Sequence, residues 1–224
     1  MVGRYETQEY VIPVAGRTLR LLGPKRPHSL RNDPAVEQRF LDDGYMPYWA
    51  TPWPGALMLA EYVIRNVEPT PEPVLEIGAG LGLVGLSLAM AGHRVIVTDY
   101  DQDALAFARA NAALNGVDLD DVRLLDWREP PDERFARIVA GEVLYEKRDV
   151  GPIASLIASC LEPTGLALVS AQHRTAVEDF PGALADVGLS CEAIPVQCRA
   201  IPRPDAIDAR ILNGTVFRIG HRQR

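Results

Sequence analysis

The stretch "VLEIGAGLGLVGLSLA", Val74 to Ala89, limits this chain to a small set of folds. An apolar, strand-like start runs into alternating glycines, and these run into an apolar segment of helical length. Glycines at 78, 80 and 82 permit positive φ and let backbone approach a ligand where a Cβ would collide. A strand, a glycine turn and a helix in this order place free backbone N–H groups at a helix N-terminus, where nucleotides bind. Two patterns overlap here. Gly80-x-Gly82-x-x-Gly85 is the dinucleotide fingerprint, whereas Glu76-x-Gly78-x-Gly80-x-Gly82 begins with a carboxylate at the strand end.

The rest of the chain repeats the same unit. "PVLEIG", "RVIVTD", "VRLLDW", "ARIVAGEVLY" and "GLALVSAQ" read as strands. Between them lie helical segments, among them "DQDALAFARANAALNG", with Asp101 as N-cap and Gly116 as stop. The first four of these strands are short and nearly all apolar, as strands covered on both faces are. "TAVEDFPGALADVG" reads as helical in two pieces broken by Pro181. "SCEAIPVQ" and "ARILNGTVFRIGH" follow as strands joined only by a loop, so they can pair antiparallel at one edge. This predicts an α/β chain: a Rossmann-like sheet of seven strands, mostly parallel, with an antiparallel edge strand. Ahead of it, "YVIPVAGRTLRLLGP" reads as a β-hairpin turning at Gly16, "DPAVEQRFLDDG" as a short helix, and Pro54 opens another that runs to Asn66. Residues 1–66 are expected to form an extension of hairpin and helix, packed on a domain of residues 67–224.

Composition narrows the function classes. The formal net charge of −7 argues against broad binding to a nucleic-acid backbone, and the arginines from Arg218 to Arg224 are expected on a solvated end. No apolar run is long enough to span a bilayer, so no membrane partner is expected. The start "MVGRYETQEYVIP" lacks the apolar stretch of a secretory leader. Cys160, Cys191 and Cys198 suit neither a disulfide framework nor a zinc cluster, and reduced thiols in a cytoplasmic chain are expected. His28, His93, His173 and His221 are scattered, which predicts no metal site. Of these, only His173 lies near enough to a strand end to face an acceptor pocket.

Three features separate the two patterns. A buried carboxylate at Glu76 needs a partner, and a ligand ammonium group suits it where a pyrophosphate would repel it. Asp99, at the end of the next strand, can accept from both ribose hydroxyls, a feature common to both ligand types. Asp126 can accept from an adenine amino group and Trp127 can stack on the ring, although a helix-start carboxylate and a core aromatic would look the same. Gly85 then serves close helix-to-strand packing.

With loop, Asp99 and Asp126-Trp127 in order, the region from Val74 to Val143 resembles the class I S-adenosylmethionine-dependent methyltransferases. "MPYWATPWPGALMLAEYV" and "VAGEVLYEK" narrow the likeness to the seven-β-strand protein-lysine methyltransferases, the group that includes the enzyme modifying the β subunit of electron-transfer flavoprotein. The resemblance covers about Glu9 to Glu146. It implies S-adenosylmethionine as cofactor and S-adenosylhomocysteine as product. It also implies cofactor contacts from Trp53, Glu76, Gly78, Ala79, Gly80, Leu81, Gly82, Asp99, Tyr100, Asp126, Trp127 and Ala140. Trp53 and Trp49 have a packing alternative, and Trp49 is expected at the entrance or in support of it.

The resemblance further implies acceptor-side roles for Glu142 and Tyr145. Here the chain departs from the family, which carries Asp-x-x-Tyr where this sequence has Glu142-Val-Leu-Tyr145. The longer side chain reaches further and bears on acceptor identity. The expected partner is a lysine-bearing protein, the alternative a small-molecule acceptor, and the remoter alternative an NAD-dependent oxidoreductase, against which Glu76 speaks.

Overall fold

A computed structural model describes residues 1–172, 175–202 and 210–222; His173 lies outside them, as do Gln223 and Arg224. Strands β1 (Thr7–Val14) and β2 (Arg17–Pro24) form the hairpin, with Val14 opposite Arg17. Its two-residue turn puts Ala15 at φ +46° and Gly16 at φ +81°, the mirror-image turn whose twist suits a hairpin. Helix α1 (Pro34–Asp43) follows. The Asp33 side chain accepts from the Ala35 N–H at its start, and a left-handed Gly44 ends it. Helix α2 (Pro54–Asn66) opens on its proline as expected.

The glycine unit then folds as strand β3 (Val74–Glu76), turn and helix α3 (Leu83–Met90). Strand β4 (Val95–Asp99) leads to α4 (Gln102–Asn115), where the Asp101 side chain accepts from the Asp103 N–H and Gly116 closes the helix at φ +62°. Strand β5 is Asp121–Leu124, β6 Phe135–Gly141, and α5 Lys147–Cys160. Strand β7 (Leu161–Gln172), helix α6 (Thr175–Asp186), β8 (Leu189–Arg199) and β9 (Ile211–His221) complete the chain.

The seven-stranded sheet has the order β5-β4-β3-β6-β7-β9-β8. Its pairs are parallel from β5 to β7, and β9 pairs antiparallel with both β7 and β8. The expected antiparallel pairing is therefore present at one edge, with the reversed strand next to last. Strand order reverses between β3 and β6, and the carboxyl ends of these strands are where an open α/β sheet leaves a crevice.

Side chains alternate across the sheet. Leu75, Ile77, Ile138 and Ala140 face α5 and α6, while Val74, Val97 and Val139 face α2 and α3. Three expectations need correcting. Helix α6 is continuous through Pro181, because Val177, Phe180 and Leu184 keep helical spacing and are buried on the same core. That burial outweighs the roughly 3 kcal/mol penalty of an interior proline. Strand β5 is an edge strand with no fully buried residue, so its apolar pattern does not mark two covered faces. Arg218 to His221 belong to β9 and not to a solvated end.

Candidate active site

A cavity of about 290 Å³ opens at the carboxyl ends of β3, β4 and β6, the switch point of the sheet. Its floor is the glycine turn. Gly78, Gly80 and Gly82 have φ of +66°, +56° and +86°. A Cβ on Gly80 would lie 3.3 Å from the Trp49 carbonyl oxygen, and one on Gly78 would lie 2.8 Å from Val143 Cγ1. Side chains at these positions would crowd those neighbours, so backbone forms the floor.

Asp99 stands beside the floor. Its Oδ2 accepts from the Gly80 N–H at 2.7 Å and its Oδ1 from the Asp101 N–H at 2.9 Å. An ionised carboxylate accepts about four hydrogen bonds, so each oxygen keeps capacity for a ligand hydroxyl. Burial pushes the Asp99 carboxyl up to about 6, against the pull of those two amides.

The sequence-predicted residues separate into two sets. Trp53, Gly78, Ala79, Gly80, Leu81, Asp99, Tyr100, Asp126, Trp127, Glu142 and Tyr145 line the cavity. Glu76, Gly82 and Ala140 do not. Strand alternation sends the Glu76 side chain to the α3 face, where Oε2 accepts from the Gly85 N–H at 3.0 Å. Burial pushes this carboxyl up to about 8. A Cβ on Gly85 would lie 2.3 Å from that oxygen and 2.8 Å from Val97 Cγ2, so Gly85 does serve close packing of α3. Gly82 caps α3 behind the floor, and Ala140 is fully buried toward α5.

Asp126 is engaged differently from the expectation. The Arg128 guanidinium meets both its oxygens, with Nε at 2.9 and 3.0 Å and Nη2 at 2.7 Å, and the Arg128 N–H adds a bond at 2.9 Å. Burial opposes ionisation of Asp126, but these bonds outweigh it and hold the carboxyl below its usual range. An adenine amino group would share this carboxylate with Arg128.

The front wall comes from the N-terminal extension. The Trp53 indole N–H donates to the Tyr48 carbonyl at 2.8 Å, and the Tyr48 and Tyr145 rings lie 4.3 Å apart. Burial raises the Tyr145 phenol well above its ordinary pKa, which keeps it neutral. Trp49 is buried against Tyr5 and Phe107 and also reaches the cavity wall. Glu142 follows β6 at φ +60°, a left-handed conformation uncommon for a residue with a Cβ and frequent at functional sites. Its Oε1 accepts from the Gln172 N–H at 3.3 Å.

Sequence reasoning missed Asp43, Tyr45, Tyr48, Arg128 and Arg148 among the lining residues. The tyrosines lay within the aromatic run "YMPYWATPW", which was a usable signal; the arginines carried none. Among the described residues no group of three His, Cys, Asp or Glu is placed to hold a metal, and no helix is long and apolar enough to cross a membrane.

The family description that matches this chain, over residues 49–181, is lysine methyltransferase. The electron transfer flavoprotein beta subunit lysine methyltransferase of Mus musculus is 29% identical over 103 residues, 45% of this chain and 40% of that protein. A ubiquinone biosynthesis O-methyltransferase of Bradyrhizobium diazoefficiens is 36% identical over 102 residues, again 45% and 40%. The aligned region thus spans well under half of these curated relatives. Among solved structures, a TehB-like SAM-dependent methyltransferase from Corynebacterium glutamicum matches with a TM-score of 0.54 at 19% identity, covering 88% of this chain and 100% of that one.

Proposed function

We propose that this chain, which belongs to the lysine methyltransferase family, is an S-adenosylmethionine-dependent methyltransferase whose acceptor is the side-chain amine of a lysine in a protein. The observation that carries this reading is Glu142, a buried carboxylate on the cavity wall beside Tyr145 and Trp53. In the same reading residues 1–66 close the front of the cleft, and residues 67–224 hold the cofactor.

The cofactor supplies an electrophilic methyl group on a positively charged sulfur. Floor and rim fit it: the glycine backbone for the amino-acid end, Asp99 for the ribose, Asp126 and Trp127 for the adenine. Tyr100 flanks the rim and donates to Asp43 Oδ2 at 2.9 Å. Glu76 supports the reading from beneath, by fixing the start of α3 through Gly85 and not by touching the ligand.

The remaining work is alignment and exclusion of water. A lysine must arrive neutral, although its ordinary pKa is about 10.4. The aromatic slot of Tyr48, Trp53 and Tyr145 favours the uncharged amine. Glu142 accepts a hydrogen bond from the amine and holds its lone pair toward the methyl group. A carboxylate on its own raises an amine's pKa, so its role is orientation and not committed base catalysis.

The test is incubation of a cell lysate with the enzyme and methyl-labelled S-adenosylmethionine. Label on lysine in protein supports the proposal. Label confined to the small-molecule fraction overturns it in favour of a small acceptor, the reading that the ubiquinone-pathway relative supports.

A further inference from the structure

Glu142 is held by a residue that no motif marks. Its backbone N–H donates to the Ser170 carbonyl at 2.9 Å, and the Ser170 hydroxyl donates to the Gly55 carbonyl at 2.6 Å. Gly55 lies in the first turn of α2, and a Cβ there would sit 1.9 Å from Glu142 Oε2. The carboxylate therefore rests against that turn. Gly141 completes the fit, since a Cβ on it would lie 2.9 Å from Ala56 Cα.

Ser170 thus touches both sides of the arrangement: its carbonyl fixes the Glu142 backbone, and its hydroxyl fixes the helix turn that the carboxylate leans on. The residue is fully buried between Val169 and Ala171, in a strand that an alanine would pack as well. A hydroxyl in such a place is costly unless bonded, and its bond goes to α2, 115 residues away. Trp53 caps the same helix, so one bond locates the tryptophan and the carboxylate relative to each other. A left-handed, non-glycine residue such as Glu142 persists only where its surroundings over-determine it.

We propose that Ser170, acting with Gly55, is a positioning residue that sets the carboxylate of Glu142 for the methyl acceptor. The inference rests on the acceptor-side reading of Glu142. The experiment compares wild type, Ser170→Ala, Glu142→Ala and the double variant. It measures label transferred from S-adenosylmethionine into the protein and small-molecule fractions of a lysate, together with S-adenosylhomocysteine affinity and Tm.

Ser170→Ala should slow transfer at least tenfold, keep S-adenosylhomocysteine affinity within threefold, and recover in Ser170→Thr, which retains the hydroxyl. In the Glu142→Ala background the same change should cost less than twofold, because residues that act through one another are not additive. Unimpaired transfer by Ser170→Ala, or equal losses in both backgrounds, overturns the inference and leaves the Glu142 reading intact. Wild-type transfer by Glu142→Ala overturns both. If Ser170→Ala does not fold, Gly55→Ala decides through Tm alone. It should lower Tm more in the wild type than in Glu142→Ala, where the colliding oxygen is gone and only the Cβ contact at 3.2 Å remains; an equal drop in both overturns the inference.

Discussion

The floor of the cavity is backbone from one continuous β-α-β stretch, whereas its front wall is a set of side chains from distant segments. On the floor, Gly80 and Asp99 meet through a main-chain N–H, and both oxygens of Asp99 accept from amides of the same stretch. On the wall, Tyr48 and Trp53 precede the glycine turn, while Glu142 and Tyr145 follow β6 far along the chain. On the proposed reading the backbone floor takes the cofactor by its shape. The side-chain wall, which depends on how several elements pack, takes the acceptor.

If floor and wall are separate in function, the largest effect belongs to Glu142→Ala. Methyl transfer should fall by about 100-fold, the cost of a misaligned reacting pair, while calorimetry finds S-adenosylmethionine affinity nearly unchanged. Equal losses in both would join the two regions into one. The converse change, Asp99→Asn, should weaken cofactor affinity by roughly 1.5–3 kcal/mol, the worth of hydrogen bonds to a charged group. Saturating cofactor should restore transfer. Because Asp99 carries a carboxyl raised to about 6, wild-type affinity should drop as pH falls through that value, and the Asn variant should be flat.

A smaller effect concerns the support beneath the floor. Burial raises the Glu76 carboxyl from 4.5 to about 8. A raised carboxyl contributes stability that is fully present below its unfolded pKa and lost as pH rises through the folded one. Between those values the wild type loses stability that Glu76→Gln keeps, so thermal melts of the cofactor-free protein should diverge from pH 5 to pH 9. The gap should widen up to about pH 8 and level off above it. A constant gap would mean that Glu76 does not titrate in this range. The smallest effect is expected from Arg128→Ala at the rim. The Arg128 side chain is 46% exposed, so its ion pair with Asp126 is worth about 0–1 kcal/mol. Calorimetry at low and high salt should find a slight change in cofactor affinity that shrinks as salt rises.

Much of the architecture was legible in the residues themselves. Asp33, Pro34 and Gly44 mark the limits of α1, and Asp101 and Gly116 those of α4, because caps and stops are local chemistry. The strand-glycine-helix order marks the cofactor cradle for the same reason. Pro181 misled because its local cost is overruled by burial of Phe180 and Leu184, a tertiary quantity. Glu76 was singled out correctly as a buried carboxylate in need of a partner. Its partner, however, is the Gly85 amide and not a ligand, since strand parity turns it away from the cavity.

The sequence by itself therefore determined the fold class, which follows from periodicity and from turn residues close together in the chain, and its family resemblance implied the kind of cofactor. Only the tertiary structure decided where the side chains point: Arg128 onto Asp126, Tyr48 onto Tyr145, and Ser170 across to Gly55 behind Glu142. These contacts join residues whose separation carries no pattern, and their geometry exists only once the helices have packed on the sheet.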